Sequence, residues 1–261
     1  MTEEKVRLGG MALANGVLVH GPTSWACAVR TDSGELKVVA RRKRFSGAKI
    51  ESPLLRGPAR LADALAIVPQ IRGALPEARL PFQRPGVLAA MLGSAIVVKL
   101  VRTSTKLSPA AQELASGLLS AAPAALALRG PDVAAYHGAE HISIGSYEHG
   151  KRATREHERC GGHLVGPLIA TSAAGNLLAG LAPDRLRRQA QAAAQLGAIA
   201  AATELFGWMT RNPSHPLAQA LAKPGHELQH RFSTAEPSAE QLEVAEAALA
   251  ACLELEHASA Q

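Results

Sequence analysis

Aromatic residues are scarce in this chain. Phe, Trp and Tyr make up 3% of its 261 residues, whereas hydrophobic residues of all kinds, mainly Ala, Leu and Val, make up 47%. Small aliphatic side chains suit close packing between helices. The composition therefore favours a mostly helical fold, and the length is enough for one large domain or two small ones.

Cysteine is also rare, and its distribution is not typical of a disulfide framework. Cys27, Cys160 and Cys252 are odd in number and far apart along the chain, which favours a reducing environment. The N-terminal residues 1–10 contain acidic side chains and lack the apolar segment of a secretory signal. We therefore expect a location on the cytoplasmic side, with membrane association or insertion through internal segments as a further option.

The positive charge does not by itself predict nucleic-acid binding. The formal net charge is +6, and the excess lies at residues 40–45 and 184–189. Such runs bind nucleic acid, anionic lipid or acidic substrates, but they also occur as solvated strand edges and helix ends. No aromatic residues alternate with these basic ones, and no zinc-finger or RNP motif is present. We expect solvated surfaces here, and a lipid-binding or nucleic-acid-binding module is only the third hypothesis.

The hydrophobic pattern changes from strand-like to helix-like near residue 50. Residues 25–41 predict two strands joined by Asp32-Ser33-Gly34, and residues 9–22 predict one short strand between glycine turns. After residue 50, apolar residues follow helical steps, as at Leu54, Leu61, Leu65 and Val68. The predicted fold class is α+β and predominantly helical. A small N-terminal β hairpin or meander (1–50) packs on a helical body (51–261) in one continuous domain.

Four apolar stretches raise the question of a membrane. Residues 86–101, 114–128, 164–182 and 192–209 each approach the ~20 residues that a membrane span needs. Pro123 interrupts the second stretch, and the basic residues of the connecting turns conflict with the positive-inside rule. We therefore expect apolar helical hairpins that are buried or lie against a membrane, with full spanning as the alternative. Near the C-terminus, Ser238 and Gln241 predict a capping box that begins a closing helix.

Histidine, acidic residues and one cysteine are concentrated at residues 136–163. His137 and His141 are four residues apart, so on a helix they share one face and can hold one metal ion. With Glu140 they form HxxEH, an inverted zincin motif in which the glutamate acts on an activated water. Gly138 is unfavourable inside a helix by about 1 kcal/mol relative to Ala, so we expect the helix to begin near it.

A second pair, His157 and Cys160, strengthens the prediction of a metal site. Imidazole and thiolate ligands favour zinc among the divalent metals. Four bound ligands would make the site structural, whereas three would leave a position for chemistry. Glu140 and Glu148 are then the candidate general bases, and His149 and His163 are surface or supporting residues. The alternative is a solvated, histidine-rich loop with a buried cysteine.

The run Tyr136 to His141, followed by His157, Arg159, Cys160 and Gly161, resembles the signature of the YqhQ-like family of bacterial proteins. This family is described as predicted metal-dependent enzymes, and the likeness extends to the glycine-rich N-terminal segment and the C-terminal helix. It implies membrane association and a metal site on the matched residues.

Two positions depart from the family pattern. Asn15 and His20 stand where the family usually has glutamate and arginine, which puts a functional carboxylate in doubt.

The leading hypothesis is a zinc-dependent enzyme that activates water for hydrolysis or a related reaction. His137, His141, His157 and Cys160 are the proposed ligands of the divalent metal and Glu140 is the proposed base. Residues that would support this centre are Tyr136, Glu148, Arg159, His163, Asn15 and His20.

The alternative is a non-catalytic, membrane-associated scaffold with a structural zinc site. The expected substrate is a small or lipid-like molecule, and a homo-oligomer is compatible with the sequence.

Overall fold

The N-terminal β element is a four-stranded antiparallel meander. The structure, a computed structural model, describes residues 5–44, 47–53 and 55–258, so Leu54 lies outside the described residues. The strands β1 (Gly9–Ala12), β2 (Gly16–His20), β3 (Ser24–Arg30) and β4 (Leu36–Arg42) pair in chain order. The hairpin at residues 25–41 is confirmed, and Gly34 supplies the left-handed φ of +83° in its turn. Residues 9–22 form two strands, because Ala12 and Val17 pair across a tight turn.

Helices cover both faces of this sheet, because its buried side chains alternate. The helices are α1 (Arg56–Ala74), α2 (Pro85–Arg102), α3 (Pro109–Leu128), α4 (Pro131–His149), α5 (Val165–Gly180), α6 (Arg187–Arg211), α7 (Pro216–Leu228) and α8 (Ala239–His257). Val17, Val19 and Ala28 face α4 and α8. Leu18 and Trp25 face the other way and pack against α1 and the segment that follows it. The predicted α+β, mainly helical class is confirmed.

The structure differs from the sequence-based expectation in the buried face of α1 and in the continuity of α3. In α1 the buried aliphatic residues are Ile67 and Ile71, whereas Leu61 and Leu65 are exposed. The interruption expected at Pro123 is absent, since α3 continues through that residue. A proline removes one backbone donor, and here the helix on both sides of it is supported by packing against α2 and α5. The capping box of Ser238 and Gln241 is present at the start of α8.

The apolar stretches form helical hairpins. α2 packs along α3, and α5 packs along α6. By length and composition, α2 is the one helix in the described part of the chain that is apolar enough to cross a membrane, and 6% of its 18 residues are buried. This is a weak indication of membrane association, because apolar helices of soluble proteins can pass the same criterion.

Candidate metal centre

The helix α4 carries the candidate site through the middle of the molecule. It begins at Pro131, after Gly130, and all residues from Val133 to Gly145 are buried. We expected the helix to begin near Gly138 because glycine is unfavourable inside helices. This expectation was wrong, since the helix begins seven residues earlier. Gly138 is needed for contact, because a Cβ at this position would lie 2.1 Å from the carbonyl oxygen of Ala235. The missing side chain lets the segment after α7 pass directly over the helix.

The two histidines of the helix lie next to each other, and each has its Nδ1 bonded to a backbone carbonyl. Their ring centroids are 4.3 Å apart. His137 Nδ1 donates to the carbonyl of Ser233 at 2.8 Å, and His141 Nδ1 donates to the carbonyl of Arg155 at 2.7 Å. With the proton on Nδ1, each Nε2 keeps a lone pair. His141 Nε2 is buried and has no hydrogen-bond partner among the described residues.

Cys160 completes a group of three potential ligands. One ligand atom from each of His137, His141 and Cys160 lies within 4.8 Å of the others. The Cys160 Sγ is 3.6 Å from His137 Nε2 and accepts a hydrogen bond from the backbone N–H of Gly162 at 3.4 Å. The residue precedes a short 3-10 helix, Gly161–Leu164. Two imidazole nitrogens and a thiolate are a donor set that fits zinc.

Burial keeps this group uncharged. It raises the pKa of the Cys160 thiol to about 12. Burial, with a smaller contribution from His137, lowers the pKa of His141 to about 2, and burial also lowers that of His137. A neutral imidazole is the form that binds a metal, whereas the thiol must lose its proton to do so. The two histidines are therefore in the protonation state that binds a metal. Cys160 would bind only if the positive charge of the ion lowered the pKa of its thiol.

Glu140 lies in the same cavity as the three ligand candidates. This cavity measures about 330 Å³ and is also lined by Gly10 and His20. Burial raises the pKa of Glu140 to about 8. A Cβ at Gly10 would lie 2.5 Å from Glu140 Oε1, so the glycine of β1 makes room for the carboxyl group. Glu140 is thus a buried carboxyl with a raised pKa beside a potential metal site, as expected for an acid–base residue.

His157 is adjacent to the group, but both of its ring nitrogens have partners. Its ring centroid is 5.6 Å from that of His141. Nδ1 accepts from the backbone N–H of Arg159 at 3.2 Å, and Nε2 lies 3.0 Å from Glu148 Oε2. Arg159 also pairs with the carboxylate of Glu148. Three of the four predicted ligands therefore converge, whereas the fourth joins Glu148 and Arg159 in a polar network beside them.

The remaining predicted residues lie at varying distances from the group. His163 Nδ1 donates to a backbone carbonyl at 3.1 Å, and its Nε2 lies 3.0 Å from the amide nitrogen of Gln229. Tyr136 belongs to the core between α4, α8 and the sheet, where burial raises its pKa. The Asn15 side chain bonds to the backbone of Arg30, Glu77 and Arg79 and does not line the cavity.

Several groups that organise the site were not found from the sequence. The carbonyls of Ser233 and Arg155 fix the histidine tautomers, and Gln229 bonds to the backbone of His157 at 3.0 Å. A backbone carbonyl has no sequence signature, because every residue has one. Gln229 follows α7 without any recognisable motif.

The comparison with known families covers this region of the chain. Residues 131–255 match the family model described as Protein of unknown function (DUF1385). The match extends from the first residue of α4 into α8, and it contains the whole His/His/Cys group and Glu140. No curated protein and no solved structure matches the chain. The description of this family names no reaction, so the likeness assigns none to the chain.

Proposed function

We propose that the protein is a metal-dependent enzyme, with zinc as the metal, that activates water for hydrolysis or a related reaction. His137, His141 and Cys160 hold the ion, and Glu140 takes up and returns the proton. The observation that carries the proposal is the buried Nε2 of His141, which has no hydrogen-bond partner among the described residues, in a residue grouped with His137 and Cys160 as potential ligands. A buried polar atom without a partner is costly, so it requires an explanation such as an ion.

The carbonyl bonds to both Nδ1 atoms are typical of metal sites. A ligating histidine usually donates its other ring N–H to a carbonyl or carboxylate, which fixes the ring and its tautomer. Both helix histidines have such a bond to a backbone carbonyl. The resemblance to the YqhQ-like family carries the same expectation of metal dependence.

The number of available ligands favours catalysis over a closed structural site. Three protein ligands leave one position for water or substrate, where a bound zinc ion supplies Lewis acidity. The ring nitrogens of His157 are already bonded to Glu148 and Arg159. We propose that His157 holds Glu148 and Arg159 in position and does not bind the metal. Glu140, one residue before His141 and in the same cavity, is placed to accept a proton.

Metal analysis of purified protein tests the site. Elemental mass spectrometry should find about one equivalent of zinc in the wild type, and His141→Ala and Cys160→Ala should both lose it. His149→Ala, at the exposed end of the same helix, is the matched control and should keep the metal. Wild-type protein without metal, after purification free of chelator, would refute the proposal.

Two further variants separate the enzyme from a structural zinc scaffold. His157→Gln should retain the metal in a three-ligand site and lose it in a four-ligand site. Glu140→Gln should retain the metal while hydrolysis of a generic activated ester falls by at least a hundredfold, the scale of general acid–base catalysis. A scaffold would show the same ester hydrolysis in both proteins, and chelation would unfold it.

The second candidate function, a membrane-associated scaffold, is favoured by α2. Leu92, Ile96 and Leu100 are each more than 60% exposed, and Lys99 and Arg102 lie in the last turn of this helix. A large exposed apolar surface marks an interaction site. We propose that this face lies against the cytoplasmic side of a membrane. Wild-type protein should float with liposomes and Leu92→Glu should not. Equal flotation of the two would contradict the assignment.

A further inference from the structure

A second, larger cavity adjoins the candidate metal centre. It measures about 950 Å³ and lies between the N-terminal segment, the end of α4, α6 and α7. His157 and Arg159 line both this cavity and the smaller one that contains Glu140 and the three ligand candidates. Its size is at the upper end of the range for small-molecule pockets, about 300–1,000 Å³. A molecule bound here would therefore reach the boundary of the metal centre.

The apolar part of this cavity comes from two helices. Phe206 and Met209 of α6 line it, together with Ala218 and Ala222 of α7. Met209 and Ala218 are buried. Such a surface can accept a hydrocarbon chain, whose transfer out of water is favourable by about 0.8 kcal/mol for each buried CH₂ group.

The charged part of the cavity has a net positive charge. Glu148 forms an ion pair with Arg159, whereas its contact with His157 and the contacts of Glu156 with His226 and His230 are charge pairs only when the histidine is protonated.

Among the described residues that line the cavity, the lysines and arginines are Lys5, Arg7, Arg159 and Lys223, and the carboxylates are Glu148, Glu156 and Glu158. Four cations therefore face three carboxylates, and this net positive charge favours an anionic ligand.

Two arginines, Arg7 and Arg159, line this cavity, and Arg159 also lines the smaller one. Arginine is well suited to bind a carboxylate or phosphate with two parallel hydrogen bonds.

We propose that the 950 Å³ cavity binds an amphipathic organic anion, with its carboxylate or phosphate at Arg7 and Arg159 and its hydrocarbon chain against α6 and α7. This places the head group at the wall shared with the metal centre. The statement that this molecule is the substrate rests on the proposed function. The binding itself depends only on the cavity.

Calorimetric titration with octyl phosphate tests the inference. The wild type should bind octyl phosphate at least tenfold more tightly than either octyl glucoside, which lacks the charge, or inorganic phosphate, which lacks the chain. Octanoate distinguishes a carboxylate site from a phosphate site. Absence of binding, or equal binding of octyl glucoside, would overturn the proposal.

Two variants localise the binding. Arg7→Gln should weaken octyl phosphate binding by about tenfold, whereas Arg152→Gln, an exposed arginine outside the cavity, should leave it unchanged. Ala222→Phe should fill the apolar part and abolish binding. Phe206→Ala serves as a second variant there, with an expected loss of about tenfold, in case the larger side chain disturbs folding. Unchanged affinity in Arg7→Gln would overturn the assignment of the head group.

The same titration with and without zinc separates this inference from the proposed function. Protein that binds octyl phosphate but no zinc would refute the metal centre and leave the cavity assignment standing. Protein that binds zinc but not octyl phosphate would refute the cavity assignment and leave the metal centre standing.

Discussion

The substitution Gly138→Ala tests the packing that creates the site. Judged by helix propensity alone, alanine in the middle of α4 should stabilise the protein by about 1 kcal/mol. The structure predicts the opposite sign. A Cβ at residue 138 would lie 2.1 Å from the carbonyl oxygen of Ala235, about 1 Å closer than atoms normally approach, so this segment must move.

The movement would break contacts on both sides of the new methyl group. Ala235 N donates to the carbonyl of Ala134 at 2.9 Å, and the carbonyl of Ser233 accepts from His137 Nδ1 at 2.8 Å. Overpacking costs about 1–3 kcal/mol, and each lost hydrogen bond costs about 0.5–1.5 kcal/mol. After subtraction of the gain in helix propensity, we expect Gly138→Ala to lower the free energy of unfolding by about 3 kcal/mol.

Urea denaturation at pH 7 measures this change, and the chain supplies a matched control. Gly93 lies inside α2, where a Cβ would meet nothing within 4 Å. Gly93→Ala should therefore leave the free energy of unfolding unchanged or raise it by up to about 1 kcal/mol. Because His137 loses its orienting carbonyl, Gly138→Ala should also bind zinc more weakly. A Gly138→Ala protein as stable as the Gly93→Ala protein would refute the reasoning.

Three further predictions concern the sheet and the metal. Glu256 accepts four hydrogen bonds of 2.6–2.9 Å from the backbone and hydroxyl groups of Thr23 and Ser24, so Glu256→Ala should lower the urea-denaturation free energy by about 3 kcal/mol and Glu256→Gln by less. Burial, aided by Lys43, lowers the pKa of His20 to about 4. Its contribution to stability should be complete above pH 6.5 and be lost as the pH falls towards 4, and His20→Gln should remove up to about 3 kcal/mol of this pH dependence. Zinc at a hundred times its Kd should stabilise the wild type by about 2.7 kcal/mol, so in a thermal melt chelation should lower the Tm by about 5 °C in the wild type but not in His141→Ala.

The local elements could be predicted because their signals are local. The alternation of Trp25, Cys27 and Val29 in β3 predicts a strand, and both faces of that strand are buried in the structure. The capping box of Ser238 is contained within four residues. The single strand predicted for residues 9–22 was wrong, because the tight turn between Ala12 and Gly16 divides the segment into two paired strands.

The start of α4 could not be predicted, since it depends on distant residues. Glycine at position 138 argues against a helix by propensity, but its contact with Ala235 lies almost one hundred residues further along the chain. The same segment supplies the carbonyl that orients His137. Tertiary packing therefore overrides propensity at the point where the site is built.

The sequence predicted that four ligand candidates lie near each other, but it could not assign their roles. At the level of sequence, His157 and His141 are equivalent imidazoles, and only their hydrogen bonds distinguish them. His141 has one nitrogen bonded to a carbonyl, and its other nitrogen has no partner within the part of the chain that the structure describes. His157 has both nitrogens bonded. For His157 to bind the same ion, it would have to leave Glu148, whose carboxylate would then be paired with Arg159 alone. For the proposed metal site, this arrangement favours three ligands over four. His157 and Arg159 line both the smaller cavity and the larger one.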